Sequence, residues 1–566
     1  MAKGNYILGI NAFGFNTSAS LLKNGVLTGA VEEERLSREK RTRKFPIKSI
    51  NYLLNKESVS LKDLSAIGIS WNPAINLEYF DHKKSDNLSY IPDLLHSVPN
   101  HLFKMSKNLN EDFFKQEIKI GSKTLPIFYV KHHLCHGANY YLSPFKNSSM
   151  LTVDAFGEKQ STVFFKCSKN INQIWSQEFP HSLGSFYSTF TEFCGFKPQS
   201  DEWKLMGASA YGDEKKYYKR IRDLVILKPN GGFDLDLKFF NHYQFHRPNY
   251  YNSSMSDILK LKPNNKQELN KNYYDLCAST QRVFEDIYFH LINSLQKMTK
   301  NKNLVISGGC ALNCLANGKI IEKTKFKNVF IPPMPDDSGA GLGAAYFVYK
   351  DIMNNKKRAT FKNNFLGPNY PNNKIKTILD KYHLSYKFIK NPSKEAAESI
   401  ANGKIIGWFQ DRLEFGDRAL GNRSILADPR KKNMKMRVNA TVKYREKFRP
   451  FAPAIIDTEG YNYFENYQDS RFMEKTLKIK KPFRNKIPAV THKDGSGRLQ
   501  TVSKENTKFY NLIKEFKNIT GVPLVLNTSL NYKGDPMVCS PEDAIKTFYL
   551  SGLDEMFIEN YKLSKK

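Results

Sequence analysis

Short apolar runs separated by Gly, Asn and Ser clusters predict a mixed α/β protein. Tyr6-Ile-Leu-Gly-Ile10 reads as a buried strand, a polar turn follows, and Ser18–Leu22 reads as a second strand. Lys23-Asn-Gly25 is a hairpin signal, because Gly reaches the positive φ that tight hairpin turns require. Val26–Val31 gives a third strand that runs into the acidic Glu32-Glu-Glu34. Strand–glycine–helix units come later. Leu304–Ser307 leads through Gly308-Gly309 into a helical pattern from Ala311, and Val329–Ile331 leads through Asp336-Asp-Ser-Gly339 into Leu342–Tyr349. A Lys/Asn-rich stretch with Gly367-Pro368 and Pro371 marks a boundary near 350–375. A second unit then opens with a helix around Lys394–Asn402 and a strand over Lys404–Phe409. No internal sequence repeat is visible.

Composition narrows the function. With 40% hydrophobic and 13% aromatic residues over 566 positions, the chain can bury sizeable cores and is not disordered throughout. It contains no uninterrupted apolar run of membrane-spanning length, about 18 residues, and its N-terminus lacks the pattern of a signal peptide. Seven scattered cysteines suit reduced thiols in a cytoplasm better than a disulfide framework. Cys310 and Cys314 read as core. The net charge of +32 would suit a polyanion, yet the basic runs are short and little interleaved with aromatics. Nucleic acid is therefore a poor fit as partner, and an anionic small molecule is a better one.

Three groups of residues carry candidate chemistry. In Lys131-His-His-Leu-Cys-His-Gly137, a helix would put His132 and His136 on one face, where two imidazoles can share a divalent metal. His133 would point elsewhere, and the HExxH protease pattern is absent. Asp154, beyond the strand Met150–Val153, and Asp337, at a helix start, are the carboxylates placed to complete such a site. Two His with two Asp and open positions suit iron(II) or manganese(II) more than structural zinc. The glycine turns at 308–309 and 339–343 could offer backbone N–H groups to phosphate, or serve as tight turns and close helix packing. In the second unit Arg412, Arg418, Arg423, Lys443, Arg445 and Arg449 are interleaved with Gly and Pro, a setting in which guanidinium forks bind phosphates. His492–Gln500 and Asn527–Asn531 add polar side chains.

Taken in order, these motifs resemble the O-carbamoyltransferase family of the nodulation-factor and antibiotic-tailoring type, typified by the tobramycin and cephalosporin enzymes. The resemblance runs over nearly the whole chain: Glu32-Glu-Glu-Arg35 with Arg38, the histidine motif at 132–136, Asp154 to Glu158, Glu202-Trp-Lys-Leu-Met-Gly, Gly308-Gly-Cys-Ala-Leu-Asn313, Glu414–Leu426, Arg449-Pro-Phe-Ala-Pro453, Asp494–Gln500 and Asn527–Gly534. It implies an N-terminal TsaD-like domain of the actin-like ATPase fold over 1–355, consistent with the strand–turn–strand–strand opening, and a YrdC-like α/β domain over 375–566. It implies that ATP, with Mg2+, and carbamoyl phosphate are co-substrates, that carbamoyl adenylate forms, and that the carbamoyl group passes to a hydroxyl of a small-molecule or glycan acceptor. It further implies an iron or other divalent metal on His132, His136, Asp154 and Asp337. Arg418, Lys443, Arg449 and Arg498 would hold phosphates. Lys204, Gly308, Gly309 and Asn313 would line a nucleotide site in the first domain, and Arg423, Asn527, Ser529 and Asn531 would bind in the second. The family's cytoplasmic setting and a possible homodimer come with it. One departure stands out: Phe15 occupies the position where the family carries His. A tRNA-modifying relative or a non-catalytic member are the alternatives, along with a basic binding module.

Overall fold

The computed structural model describes residues 4–12, 14, 16–72, 112–244, 249–266, 268–358, 361–443, 446 and 448–565. The chain divides into two compact units. One comprises residues 1–30 and 43–361, and the other residues 31–42 and 362–566. The short stretch 31–42 thus folds with the later part of the chain, which the linear boundary near 350–375 does not anticipate.

The first unit holds two sheets. Strands β1 (Tyr6–Asn11), β2 (Ser18–Lys23), β3 (Val26–Glu32), β4 (Leu64–Ile69), β5 (Phe113–Ile120) and β6 (Lys123–Val130) form one, in the order β3-β2-β1-β4-β6-β5. Strands β7 (Ser148–Val153), β8 (Gln160–Cys167) and β9 (Ile171–Glu178) belong to the second, and a separate hairpin is made by β10 (Val225–Leu227) and β11 (Phe233–Leu235). With β12 (Asn303–Ser307) and β13 (Asn328–Phe330) the second sheet runs β13-β12-β7-β8-β9. The two orders match. In each, a central strand (β1 or β7) pairs antiparallel with the next strand in the chain and parallel with a strand reached by a crossover (β4 or β12). A topological repeat therefore exists where the sequence shows none, because strand order needs only apolar runs and turns, not matching residues. The central strands are buried along their whole length, as continuous apolar runs require when both faces are covered.

The buried helix Ala340–Phe347 covers β1 so closely that glycine is obligatory. A Cβ on Gly9 would meet the Gly341 carbonyl at 2.1 Å, and one on Gly343 would meet the Cys135 carbonyl at 1.8 Å. Of the two readings open for the 339–343 glycines, close packing is the one the structure takes.

The second unit contains a nine-stranded mixed sheet built from β14 (Lys387–Phe388), β15 (Ile406–Phe409), β16 (Arg423–Ala427), β17 (Ala452–Ile456), β18 (Lys475–Lys478), β19 (Ser496–Val502), β20 (Leu524–Ser529), β21 (Glu555–Ile558) and β22 (Tyr561–Ser564). Its order is β14-β22-β21-β15-β16-β20-β17-β19-β18, with β15–β21 and β17–β19 parallel. Helices Pro392–Ala401 and Thr507–Thr520 pack on each other, and their apolar faces join Trp408, Phe509 and Phe516 in the core. Among the described residues, no helix is long and apolar enough to cross a membrane.

Candidate metal centre and anion-binding region

The HHxxH segment forms the helix His132–Ala138, entirely buried. Glu158 holds its start: the carboxylate accepts from the His132 backbone N–H at 2.9 Å and from the Asn72 N–H at 2.7 Å. A carboxylate at a helix N-terminus satisfies orphan donors and suits the helix dipole. The first unit's four candidates converge. His132 Nε2 and His136 Nε2 lie 3.0 Å apart, and Asp154 Oδ2 lies 3.3 Å from His136 Nε2. Asp337 Oδ1 is 3.6 Å from both imidazole nitrogens. All four donor atoms fall within 4.8 Å of one another. Donors bound about 2.1 Å from one cation lie about 3.0–3.4 Å apart, so two pairs already match a single metal ion and the others need to close by a few tenths of an ångström or more.

Neighbouring groups orient His136 and Asp154. The Ser307 hydroxyl donates to the Pro335 carbonyl at 3.0 Å, so its oxygen accepts from His136 Nδ1–H at 3.3 Å. In the neutral ring that leaves the Nε2 lone pair facing the cluster, the tautomer metal binding needs. Asp154 accepts from the Ala155 N–H at 2.7 Å and the Gly309 N–H at 2.8 Å. Burial opposes charging His136, but the Asp154 and Asp337 carboxylates outweigh it and lift its pKa to about 9. Burial would raise Asp154, yet both imidazoles hold it well below the usual carboxylate range. His133 stands apart, bonded to Thr152 Oγ1 at 2.8 Å and to the Gln160 carbonyl at 3.0 Å, and both ring nitrogens are thereby used.

Several sequence assignments change here. Gly308 and Gly309 do not display free amides: Gly308 N–H donates to the Pro335 carbonyl at 2.6 Å and Gly309 N–H to Asp154. The turn supports a metal ligand instead of a phosphate. Gly308 itself, at φ +94°, permits the approach, since a Cβ would meet the Val153 carbonyl at 2.3 Å. Asn313 caps the helix Cys314–Gly318 and pairs amide to amide with Gln281, at 3.0 and 3.1 Å, so its side chain is not open to a nucleotide. Lys204 is ion-paired to Asp201 at 2.9 Å and stacked near Trp203. Phe15 lies outside the described residues. Cys310 and Cys314 are buried, as expected of core residues.

The second unit divides its cations sharply. Arg423 is fully buried, stacked 3.6 Å from the Phe409 ring centre, and donates to the carbonyls of Gln410, Asn422, Pro368 and Asp411. It is a structural clamp and not a ligand-binding group, a correction to the sequence reading. Lys443 is likewise committed, with its Nζ donating to Asn531 Oδ1 at 2.6 Å, to Ser529 Oγ at 3.3 Å and to both residues' carbonyls. It fixes Ser529 and Asn531 rather than reaching outward. Asn527 donates to the Ala419 carbonyl at 3.1 Å and to Gln500 at 2.7 Å. Arg449 pairs with Glu446 at 2.7 Å. Arg498 lies half-buried on β19. Arg418 differs from all of these: it is half-buried and makes no hydrogen bond or ion pair to a described residue. Arg445 lies outside the described residues.

Sequence reasoning missed Ser307 and Glu158 as supports of the ligand helix. Glu158 had a signal, its place in Asp154-Ala-Phe-Gly-Glu158, but Ser307 had none beyond the end of a strand.

Comparison with known proteins decides the family. The family model for the carbamoyltransferase N-terminus matches residues 6–346, and that for the carbamoyltransferase C-terminus matches 397–565. The chain belongs to the carbamoyltransferase family. It is accordingly an enzyme of the carbamoyl-transferring class, and the four-donor cluster lies in the stretch matched as the family's N-terminal part. A nodulation protein, NolNO, of Sinorhizobium fredii is 33% identical over 98% of this chain and 80% of its own length. An uncharacterized protein of Synechocystis is 34% identical over 99% and 97% of the two chains. Among solved structures, a 2-hydroxyglutaryl-CoA dehydratase component of Acidaminococcus fermentans aligns at 13% identity with a TM-score of 0.33, over 62% of this chain and 99% of that one.

Proposed function

We propose that this carbamoyltransferase is an ATP-dependent O-carbamoyltransferase working in two half-reactions, the first in its YrdC-like second unit and the second in its TsaD-like, actin-like first unit. The observation that carries the reading is the convergence of His132, His136, Asp154 and Asp337 on one point within the family's N-terminal part. The matched strand orders of the two sheets support the actin-like assignment.

In the first half-reaction carbamoyl phosphate gives its phosphate to water. The carbamate oxygen then attacks the α-phosphorus of ATP, brought with Mg2+, and pyrophosphate leaves with carbamoyl adenylate formed. Arg418, uncommitted to any described residue, binds a phosphate as a two-pronged fork, and Arg449 and Arg498 are phosphate-binding groups by the family resemblance. Lys443 holds Ser529 and Asn531 in their positions at this site. In the second half-reaction an acceptor hydroxyl attacks the carbamoyl carbon and AMP leaves. A divalent ion held by His132, His136, Asp154 and Asp337, iron(II) or manganese(II) by its nitrogen–oxygen donor set, would supply Lewis acidity to the carbamoyl carbonyl. Ser307 and the Gly309 amide keep His136 and Asp154 aimed, and Glu158 holds the start of the helix that carries both histidines. Relatives named as nodulation proteins support a small-molecule or glycan hydroxyl as acceptor. Seven free, buried cysteines support a cytoplasmic setting.

The test is pyrophosphate release from ATP by the metal-loaded protein without acceptor. Release that depends on carbamoyl phosphate is the expected result. Its absence from folded protein overturns the adenylate route and returns weight to a tRNA-modifying or non-catalytic member.

A further inference from the structure

The loop that carries Arg418 is held from both ends, and one of the holds comes from the distant segment 31–42. Gly416, at φ +119°, is gripped on both faces of its residue: its N–H donates to Glu32 Oε1 at 2.7 Å and its carbonyl accepts from Arg35 Nη2 at 3.1 Å. Arg35 in turn contacts Glu32 at 3.5 Å and is hydrogen-bonded to Glu34. Glu32 and Arg35 are almost wholly buried, at 2% and 4% exposure. Arg38 anchors the same segment, donating to the Met537 and Pro536 carbonyls at 2.7 and 2.9 Å.

At the other end, fully buried Glu414 gathers the backbone N–H groups of Leu420, Asn422 and Arg423 on a single oxygen, at 2.8, 2.8 and 3.2 Å. The Leu420 carbonyl accepts from Gln500 at 2.9 Å and the Ala419 carbonyl from Asn527 at 3.1 Å. Hydrogen bonds thus fix the backbone at 416 and from 419 onward, and Arg418 stands at the apex of what is left, uncommitted to any described residue. Burying a Glu–Arg pair is expensive unless every group finds a partner. Such a pair spent on one glycine peptide two residues from an uncommitted cation points to preorganisation of that cation.

We infer that Glu32 and Arg35 are positioning residues for Arg418: by holding the Gly416 peptide they set the orientation of its guanidinium toward a bound phosphate. This rests on the reading of Arg418 as a phosphate-binding group. Preorganised donors gain affinity because little freedom is lost on binding.

A double-mutant cycle on the full-length protein tests it, with inorganic pyrophosphate as calorimetric probe and the KM for carbamoyl phosphate and kcat of pyrophosphate release as second readouts. Glu32→Ala and Arg35→Lys are each expected to weaken pyrophosphate about tenfold and to raise KM more than they lower kcat. On an Arg418→Ala background the same changes should cost less than about twofold, because residues acting through a common group are non-additive. Glu32→Gln, which keeps an acceptor for the Gly416 N–H, should recover part of the loss. If Arg418→Ala weakens binding but the strap variants do not, or if their losses simply add, the positioning role is overturned while the phosphate site stands. If Arg418→Ala itself binds normally, or the wild type binds no pyrophosphate, the phosphate reading and the positioning role fall together. Should Glu32→Ala fail to fold, Arg35→Lys and Glu32→Gln complete the cycle.

Discussion

In the first unit His132, His136, Asp154 and Asp337 turn donor atoms toward one another within 4.8 Å, while Glu158 holds the start of the histidine helix and Ser307 and the Gly309 amide are used up on His136 and Asp154. In the second unit the buried cations Arg423 and Lys443 are themselves used up, each donating to carbonyl or side-chain oxygens of this chain, whereas Arg418 makes no hydrogen bond or ion pair to a described residue. The contrast shows how a site declares itself. Where charged groups of a buried cluster lack enough internal partners, a ligand is implied. Where buried cations donate to several oxygens of the chain itself, their work is to hold loops, because an unpaired buried charge costs several kcal/mol.

The comparison breaks most sharply if the two sites cannot be disabled separately. His136→Ala is expected to remove bound metal, read by elemental analysis, while leaving carbamoyl-phosphate-dependent pyrophosphate release intact. Arg418→Ala is expected to do the reverse, lowering that release by about a hundredfold, the loss of roughly 3 kcal/mol of charge-assisted binding. Metal loss from Arg418→Ala would show that the two regions are not independent. A second test sets the committed cation against the free one. Arg423→Met should destabilise the protein by about 3 kcal/mol or more in chemical denaturation, because four carbonyls lose their donor. Arg418→Ala should leave stability within about 0.5 kcal/mol, as expected of a side chain without partners.

The supporting groups come next. Glu158→Gln should weaken metal binding by about 10- to 100-fold, the usual cost of losing a group that orients a ligand, without removing the site. Metal titration reads it, and unchanged affinity would reduce Glu158 to a helix cap. A further effect is one of pH. Burial pushes the Glu32 carboxyl up to about 7, with Arg35 opposing, from an ordinary value of 4.5. A folded value above the unfolded one gives stability that is fully present below pH 4.5 and lost as pH rises through about 7. Glu32→Gln should flatten that slope, by at most about 3 kcal/mol at 1.36 kcal/mol per unit. An unchanged pH profile would mean that Arg35 keeps the carboxylate ionised throughout.

The metal ligands were legible because their signal is local. His132 and His136 share a helix face through spacing alone, and Asp154 and Asp337 follow strand ends, where α/β units place functional groups. The glycine turns were misread for a physical reason: a glycine marks freedom of the backbone, but which acceptor its N–H meets depends on the neighbouring strand. Gly309 finds Asp154, 155 positions away. Arg423 and Arg418 lie five positions apart in the same polar run, and nothing in residue type separates them. Arg423 begins β16 with its side chain turned into the core against Phe409, whereas Arg418 stays in the loop before it.

The α/β class, the strands and helices that bear the site, the family resemblance later matched over 6–346 and 397–565, and the four residues able to share a metal were legible in the residues alone. These depend on periodicity, turn chemistry and short spacings, which neighbouring residues encode. Long-range packing set the rest: that 31–42 folds with the second unit, that two sheets repeat one strand order, and which of the described cations find partners within the chain. Those outcomes depend on long-range pairing, in which a buried charge takes whatever partner the packing of distant segments brings to it.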